Sequence, residues 1–509
     1  MPNLEYQTAR IAELPPEKGP SVITKVNARH VLGYRNGRHV LLDDACVVYR
    51  NATIEFVGKD HQGDFDAELD LGDALLMPGL IDLDALTDID HLLLDSWAGP
   101  GLGKGYQWSE DYFRNRRADV FTAGERQQIR EYALIQLVLH GITTYMPIAS
   151  EVHSEWAETF DELAGMAETS RRLGLRGYLG PAYRAGVNVV LEGGERSVLF
   201  DDGKGAAGFA DALAFLDHVR GLADPLVEGV LLPCRIETLG LELLKATAQV
   251  SADRNVLVRL HSLQGLVERR LVMDEHGVTP LELIDQVGLL NGRLLVPHAT
   301  YTDRNRAVHG ENRGDLARLA DSGASIVHCP LTSMRYGSTL DSFAAYRDAG
   351  INIALGTDSF PPDLIRGIDA GVQLAKILAG DTGAGDVAGY FDAATLGGAR
   401  ALRRPDLGRL EPGAQADMVA FSLDDIRDGV RDDPLRTLLL NGTARQAMLS
   451  VVAGRTIMRD GEIDGVDLGF WRRRGQELFE KMRFAYSLRD ASRRASGELF
   501  PPVYAREER

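Results

Sequence analysis

VLVRLHSLQ, residues 256–264, is a short β-branched run that ends on a histidine, His261. Three later stretches repeat the design. LLVPHATYTD brings His298 just past an apolar run, IVHCPLTSMRYG does the same with His328, and INIALGTDSF leads to Asp358. Each reads as a buried strand whose last residues turn polar, and the gaps between them can hold helices. Functional groups delivered at the carboxyl ends of successive parallel strands are the arrangement of a β/α barrel.

The alternation extends toward the N-terminus. GERQQIREYALIQLVLHG predicts a helix, ITTYMPI a strand, ETFDELAGMAETSRRLGL a helix and RGYLGPAY a strand. Residues 190–206 predict a Gly- and Asp-rich loop or hairpin, and helices are expected over 209–222 and 239–250. The class is therefore α/β, a (β/α)8 TIM barrel over residues 78–404. Residues 21–77 and 405–465 are instead short β runs with turn signals such as RNGR, and predict a small β-sandwich domain built from both ends of the chain. Residues 1–20 read as a polar arm. Residues 466–509 read as a helical tail whose apolar stripe covers the barrel or a neighbouring subunit.

A chain of 509 residues exceeds one ordinary core, in keeping with a barrel plus a smaller domain. The net charge of −18 argues against nucleic acid and anionic membrane as partners. Three cysteines, Cys46, Cys234 and Cys329, form no CxxC pattern, which points to a reducing compartment. With no apolar run of membrane-spanning length and no signal-peptide core at the start, the expected location is the cytoplasm. GKG at 203–205 lacks the spacing of a phosphate loop.

The order of these segments resembles the amidohydrolase superfamily, in its chlorohydrolase, cytosine-deaminase and guanine-deaminase-like branch. MPGLID (77–82) is similar to the entry into the first barrel strand and HGITTY (140–145) to the element after it. LHSLQ, VPHATYTD and SIVHCPLTS are similar to the fifth-strand, sixth-strand and HCPxSN motifs, and ALGTDS (354–359) to the last-strand aspartate. ATLGGARAL and LGRLEPGAQADMVAF resemble the return to the small domain. The resemblance implies one divalent metal at the barrel mouth, zinc first, with iron, manganese or cobalt as alternatives. An HxH pair, the fifth-strand histidine and the last-strand aspartate would hold it, and it would activate a water against a C–N or related bond.

Three departures from that pattern matter. Where HxH is expected, the sequence has Asp84-Ala85-Leu86, and leucine offers no ligand. The HxxE glutamate is Gln264, whose amide neither gains nor loses a proton at neutral pH. The asparagine of HCPxSN is Ser333.

His261, His298 and Asp358 then form the expected metal set, with Asp84 as a further oxygen ligand, as a proton acceptor, or simply paired with Arg259. Asp82 is expected to order the strand end. His91 is an alternative replacement ligand. Asp358, His298 and His328 are the expected catalytic groups, Asp358 moving the water's proton to the leaving nitrogen and a histidine steadying the oxyanion. Gln264, Trp97, Trp108, Arg235 and Ser333 are expected to contact substrate, the tryptophans from an aromatic lid and Arg235 through a substrate carboxylate.

The expected activity is metal-dependent hydrolysis of a non-peptide C–N bond in a small molecule, an amide, urea-like group or amidine. An aminohydrolase of a heterocycle is the second reading and a metal-free binding or assembly protein the third. A homo-oligomer is the family-level expectation.

Overall fold

The computed structural model describes residues 21–89, 108–148, 156–308, 313–442 and 447–504. His91 and Trp97 lie outside the described residues, as does the 1–20 arm.

The β runs at the two ends of the chain pair with one another in a single eight-stranded sheet. Ile23–Arg35 and Arg38–Arg50 form a long antiparallel hairpin. Its turn, Asn36-Gly37, has φ of +51° and +81°, the left-handed pair that matches the twist of a two-residue hairpin. Ala74–Pro78 lies parallel to the first of these strands and antiparallel to Met418–Ser422, with Pro78 opposite Met418. Ala447–Val452 and Arg455–Arg459 complete that edge.

Directly after Pro78 the chain enters Leu80–Leu86, LIDLDAL, in which all seven residues are buried, two aspartates included. This strand pairs in parallel with Ile142–Ile148, which pairs with Arg176–Leu179, and that with Val227–Gly229. A second parallel set of four runs Val258–Arg259, Leu294–Pro297, Ser325–His328 and Asn352–Leu355. Near-continuous apolar strands are what a parallel sheet covered on both faces requires.

Hydrogen bonds join the two sets at both ends. Leu231 N–H donates to Leu257 O and Arg259 N–H to Leu231 O, each at 3.0 Å, while Asp358 N–H donates to Asp84 O at 2.8 Å. The last strand is thereby tied to the first.

Helices fill the connections and start where the side chains cap them. Ala123–Leu139, Phe160–Leu173 and Pro280–Gln286 each begin with a Thr-x-x-Glu capping box. One helix is longer than its periodicity predicts. Asp202–Leu222 begins seven residues before the expected start because Asp201 accepts from Lys204 N–H, so GKG lies within its first turn. Ahead of it, Gly186–Val190 and Arg196–Phe200 form a two-stranded hairpin.

The C-terminal helix Leu468–Arg489 covers its own chain. Leu478, Met482 and Tyr486 share a core cluster with Ile89, Phe121 and Ile129, and Gly475 lets the helix lie on Tyr132, whose ring would be 2.7 Å from an added Cβ. No described helix is long and apolar enough to cross a membrane.

Candidate metal centre

The strand Leu80–Leu86 carries two acidic side chains on one face, and they do different work. Asp82 accepts from Thr357 Oγ1 at 2.6 Å, from Thr357 N–H at 3.0 Å and from Asp84 N–H at 3.1 Å, which fastens the last strand to the first. Burial pushes its pKa up to about 7 against those hydrogen bonds. Asp84 points at the imidazoles. Its Oδ2 lies 3.3 Å from His261 Nε2 and 3.6 Å from Cys329 Sγ, and its Oδ1 lies 3.2 Å from Arg259 Nη1. Burial works to raise the pKa of Asp84, but His261 and Arg259 outweigh it and hold the carboxyl well below the usual range.

His261 follows the strand Val258–Arg259. Its Nδ1 lies 3.1 Å from Cys234 O, a carbonyl that can only accept, so Nδ1 carries the proton. Burial lowers the His261 pKa against the pull of Asp84, which favours the neutral ring. Nε2 then presents a lone pair to a carboxylate oxygen 3.3 Å away. At that distance the two atoms share a cation, either a proton on His261 Nε2 or a metal ion held by both.

His298 adds a third acceptor. Its Nε2 is buried with no hydrogen bond and lies 3.6 Å from Asp358 Oδ2. Burial, followed by His261, holds the His298 pKa well below its ordinary value. One ligand atom each from Asp84, His261 and His298 lies within 4.8 Å of the other two. A carboxylate and two neutral imidazoles are an ordinary donor set for zinc, and these residues fit such an ion.

The backbone around these groups is strained. Leu263, His298, Ala299 and Asp358 have φ of +59°, +68°, +47° and +39°, a region costly for residues with a Cβ.

The remaining expected residues are spread wider. Arg235 donates to Gln264 Oε1 in a close contact, and its positive charge acts on both imidazoles. Gln264 is thus a neighbour of the cluster, engaged by an arginine. The His328 ring sits 6.4 Å from Phe343 and 6.1 Å from Tyr390, and burial lowers its pKa to about 3. Ser333 is buried in the helix Pro330–Arg335.

Trp108, expected in an aromatic lid, lies against the C-terminal helix. Its ring packs on Tyr486 at 5.3 Å and under Arg489 at 5.9 Å; its backbone bridges Asp490 and its carbonyl accepts from Val190 N–H at 2.8 Å.

One group was not foreseen. Glu268, buried in the first turn of Leu266–His276, accepts from Leu263 N–H at 2.6 Å, Gln264 N–H at 2.9 Å and Ser262 Oγ at 3.3 Å. It holds the turn that follows His261. Burial, then Glu237, pushes its pKa up to about 8. The readable signal was a glutamate at the third helical position, reaching back as in a capping box.

The sequence pattern of the amidohydrolase family matches residues 75–463, a span that contains every residue of this cluster. The chain belongs to the amidohydrolase family. Among amidohydrolase relatives, the 5-methylthioadenosine/S-adenosylhomocysteine deaminase of Halobacterium salinarum is 27% identical over 403 residues, 78% of this chain and 84% of that protein. The 8-oxoguanine deaminase of Pseudomonas aeruginosa is 31% identical over 254 residues, 49% of this chain and 54% of that one.

Two solved structures share the fold. An adenosine deaminase from Xanthomonas campestris with bound zinc superposes with a TM-score of 0.73 at 22% identity, covering 90% of this chain and 98% of its own. The atrazine chlorohydrolase of Arthrobacter aurescens complexed with zinc gives 0.69 at 22% identity, covering 90% and 100%.

Proposed function

We propose that this amidohydrolase is a metal-dependent hydrolase that cleaves a non-peptide C–N bond, such as an amide, urea-like group or amidine, in a small molecule. One observation carries the reading. One ligand atom each from the buried Asp84, His261 and His298 lies within 4.8 Å of the other two, with His261 Nδ1 turned to Cys234 O and its Nε2 toward Asp84 Oδ2.

These three residues would hold the ion, with Asp358 beside His298. Zinc is the ion named for the two solved relatives, and iron, manganese or cobalt would meet the same donors. A bound divalent ion supplies Lewis acidity that brings the pKa of water near neutrality.

The chain's own groups do the rest. Asp358 takes the proton of the attacking water and returns it to the leaving nitrogen, because Gln264 is an amide and transfers none. Steadying the developing oxyanion falls to His328, because a His298 that ligates the ion through Nε2 has no proton there to donate. Arg235 and Gln264 line the substrate side.

A second reading, ring deamination of an aminoheterocycle, is favoured by the deaminase names of the sequence relatives. For the architecture, the hydrogen bond from Asp358 N–H to Asp84 O supports a closed (β/α)8 barrel, and the eight-stranded sheet supports a sandwich-like small domain over 21–77 and 405–465.

The test is elemental analysis of the purified protein together with a screen of amides, ureas and aminoheterocycles for ammonia or amine release. About one divalent ion per chain is expected, and His261→Ala should remove metal and turnover together. A protein that neither carries nor takes up metal would overturn the reading and leave a binding or assembly role. Ammonia release from aminoheterocycles alone would select the second reading.

A further inference from the structure

We propose that Arg259 and Asp84 act as one unit, in which the guanidinium makes the carboxylate a net-neutral, single-oxygen ligand that replaces an imidazole. The inference rests on the metal-binding reading above and assigns Arg259 as a positioning residue for it.

The geometry divides the carboxylate between two tasks. Oδ1 faces Arg259 Nη1 at 3.2 Å, while Oδ2 faces His261 Nε2 at 3.3 Å. Oδ1 faces the guanidinium as an ion pair without a hydrogen bond, and Oδ2 is the oxygen directed at the cluster.

The sequence arranges both partners economically. Arg259 stands two residues before His261, so one short segment supplies an imidazole and the cation that tunes its neighbour. The arginine is 2% exposed, and its Nη1 also donates to Met146 O at 3.3 Å, which ties the guanidinium to the strand paired with Asp84's own. Leu86, the other position on that strand face, is fully buried and offers no donor.

Charge supplies the reason for the pairing. Two neutral imidazoles, Asp84 and Asp358 alone would surround a divalent ion with two negative charges. Arg259 cancels one of them. The ion keeps more of its positive charge for polarising water, and the protein holds the ion less tightly than the bare carboxylates would. A purely structural ion pair makes the opposite prediction, since removing Arg259 would then loosen the site and weaken metal binding.

The experiment measures zinc affinity of the full-length protein by competition with a chromophoric chelator, with circular dichroism as the check on folding. Arg259→Leu is expected to bind zinc about tenfold tighter or more, with slower turnover, and Arg259→Lys to bind within about threefold of wild type. Asp84→His leaves an imidazole beside an unpaired buried guanidinium, and should lose roughly 10–100-fold in affinity, the usual scale of a disturbed outer ligand partner. Asp84→His combined with Arg259→Leu should recover to within about threefold of wild type.

This last comparison decides the matter even where Arg259→Leu alone does not fold, because neither variant contains an unpaired carboxylate at position 84. Recovery supports the unit. Equal affinity of the single and double variants overturns it while leaving the metal-site reading intact. A wild-type protein that binds no zinc overturns the metal-site reading itself.

Discussion

Replacing Asp417 by Asn should uncouple the small sheet from the parallel strands. Asp417 accepts from Arg176 Nε at 3.0 Å and from Arg176 Nη2 at 3.1 Å, a two-pronged pair with both side chains almost wholly buried. Asp417 Oδ1 also accepts from Ala453 N–H at 2.7 Å, and its carbonyl receives Gly79 N–H at 3.1 Å. The residue therefore pins the start of the strand that carries Asp84.

Removing one partner of a buried pair costs about 3–5 kcal/mol. Arg176 would keep Pro225 O at 3.0 Å and Gln415 Oε1 at 3.4 Å, so the lower end, about 3 kcal/mol, is expected. With an unfolding entropy of about 2.1 cal/mol/K per residue, this is a fall of about 3 °C in Tm if the whole chain unfolds as one unit. Calorimetry at fixed metal concentration would read it.

Two controls frame the result. Arg176→Met with Asp417→Leu should return to within about 1 kcal/mol of wild type, since an apolar pair needs no solvation. Glu242→Gln, in the exposed pair with Lys245, should not shift the transition. An Asp417→Asn protein that melts with the wild type would refute the reasoning.

Other consequences are as direct. The Glu268 carboxyl has its folded pKa raised to about 8 from an ordinary 4.5, so the native state binds the extra proton between those values. Stability should fall as pH rises through that window, and Glu268→Gln should flatten the profile in urea titrations. Gln264→Glu restores a group able to carry a proton beside Arg235 and should raise ammonia release from an aminoheterocycle substrate by about 10²-fold or more; an unchanged rate would remove position 264 from the proton path. Gly356→Ala would place a Cβ 2.5 Å from Asp84 Cβ and 3.0 Å from Asp84 N. It should lower stability by about 1–3 kcal/mol and weaken metal binding, both measurable on one sample.

Much of the site was legible because buried parallel strands announce themselves as apolar runs, and the residue that ends each run is the one delivered to the site. His261 and His298 end such runs, and Asp84 stands where the resemblance expects the HxH pair. What local sequence does not carry is the direction of a side chain that tertiary contacts decide. The loop alone does not show that the Trp108 backbone pairs with Asp490 and that its ring lies against Tyr486 of the C-terminal helix. Glu268 escaped notice because a first-turn glutamate is common, and only the fold shows that it grips the turn after His261. Ion pairing and metal ligation looked like alternatives for Asp84, yet its two oxygens face the two kinds of partner separately.

The order of strands in the small sheet has a consequence for how the protein is made. Ala74–Pro78 is fully buried between an early strand and Met418–Ser422. On the ribosome its second neighbour is not synthesised until most of the chain has emerged, so the edge of that strand stays open through the whole production of the parallel strands and helices. Such a long-range pairing slows folding and leaves an adhesive edge exposed meanwhile. The nascent chain should therefore depend on chaperones, and truncations that end before residue 418 should aggregate even when every residue of the metal cluster has been made.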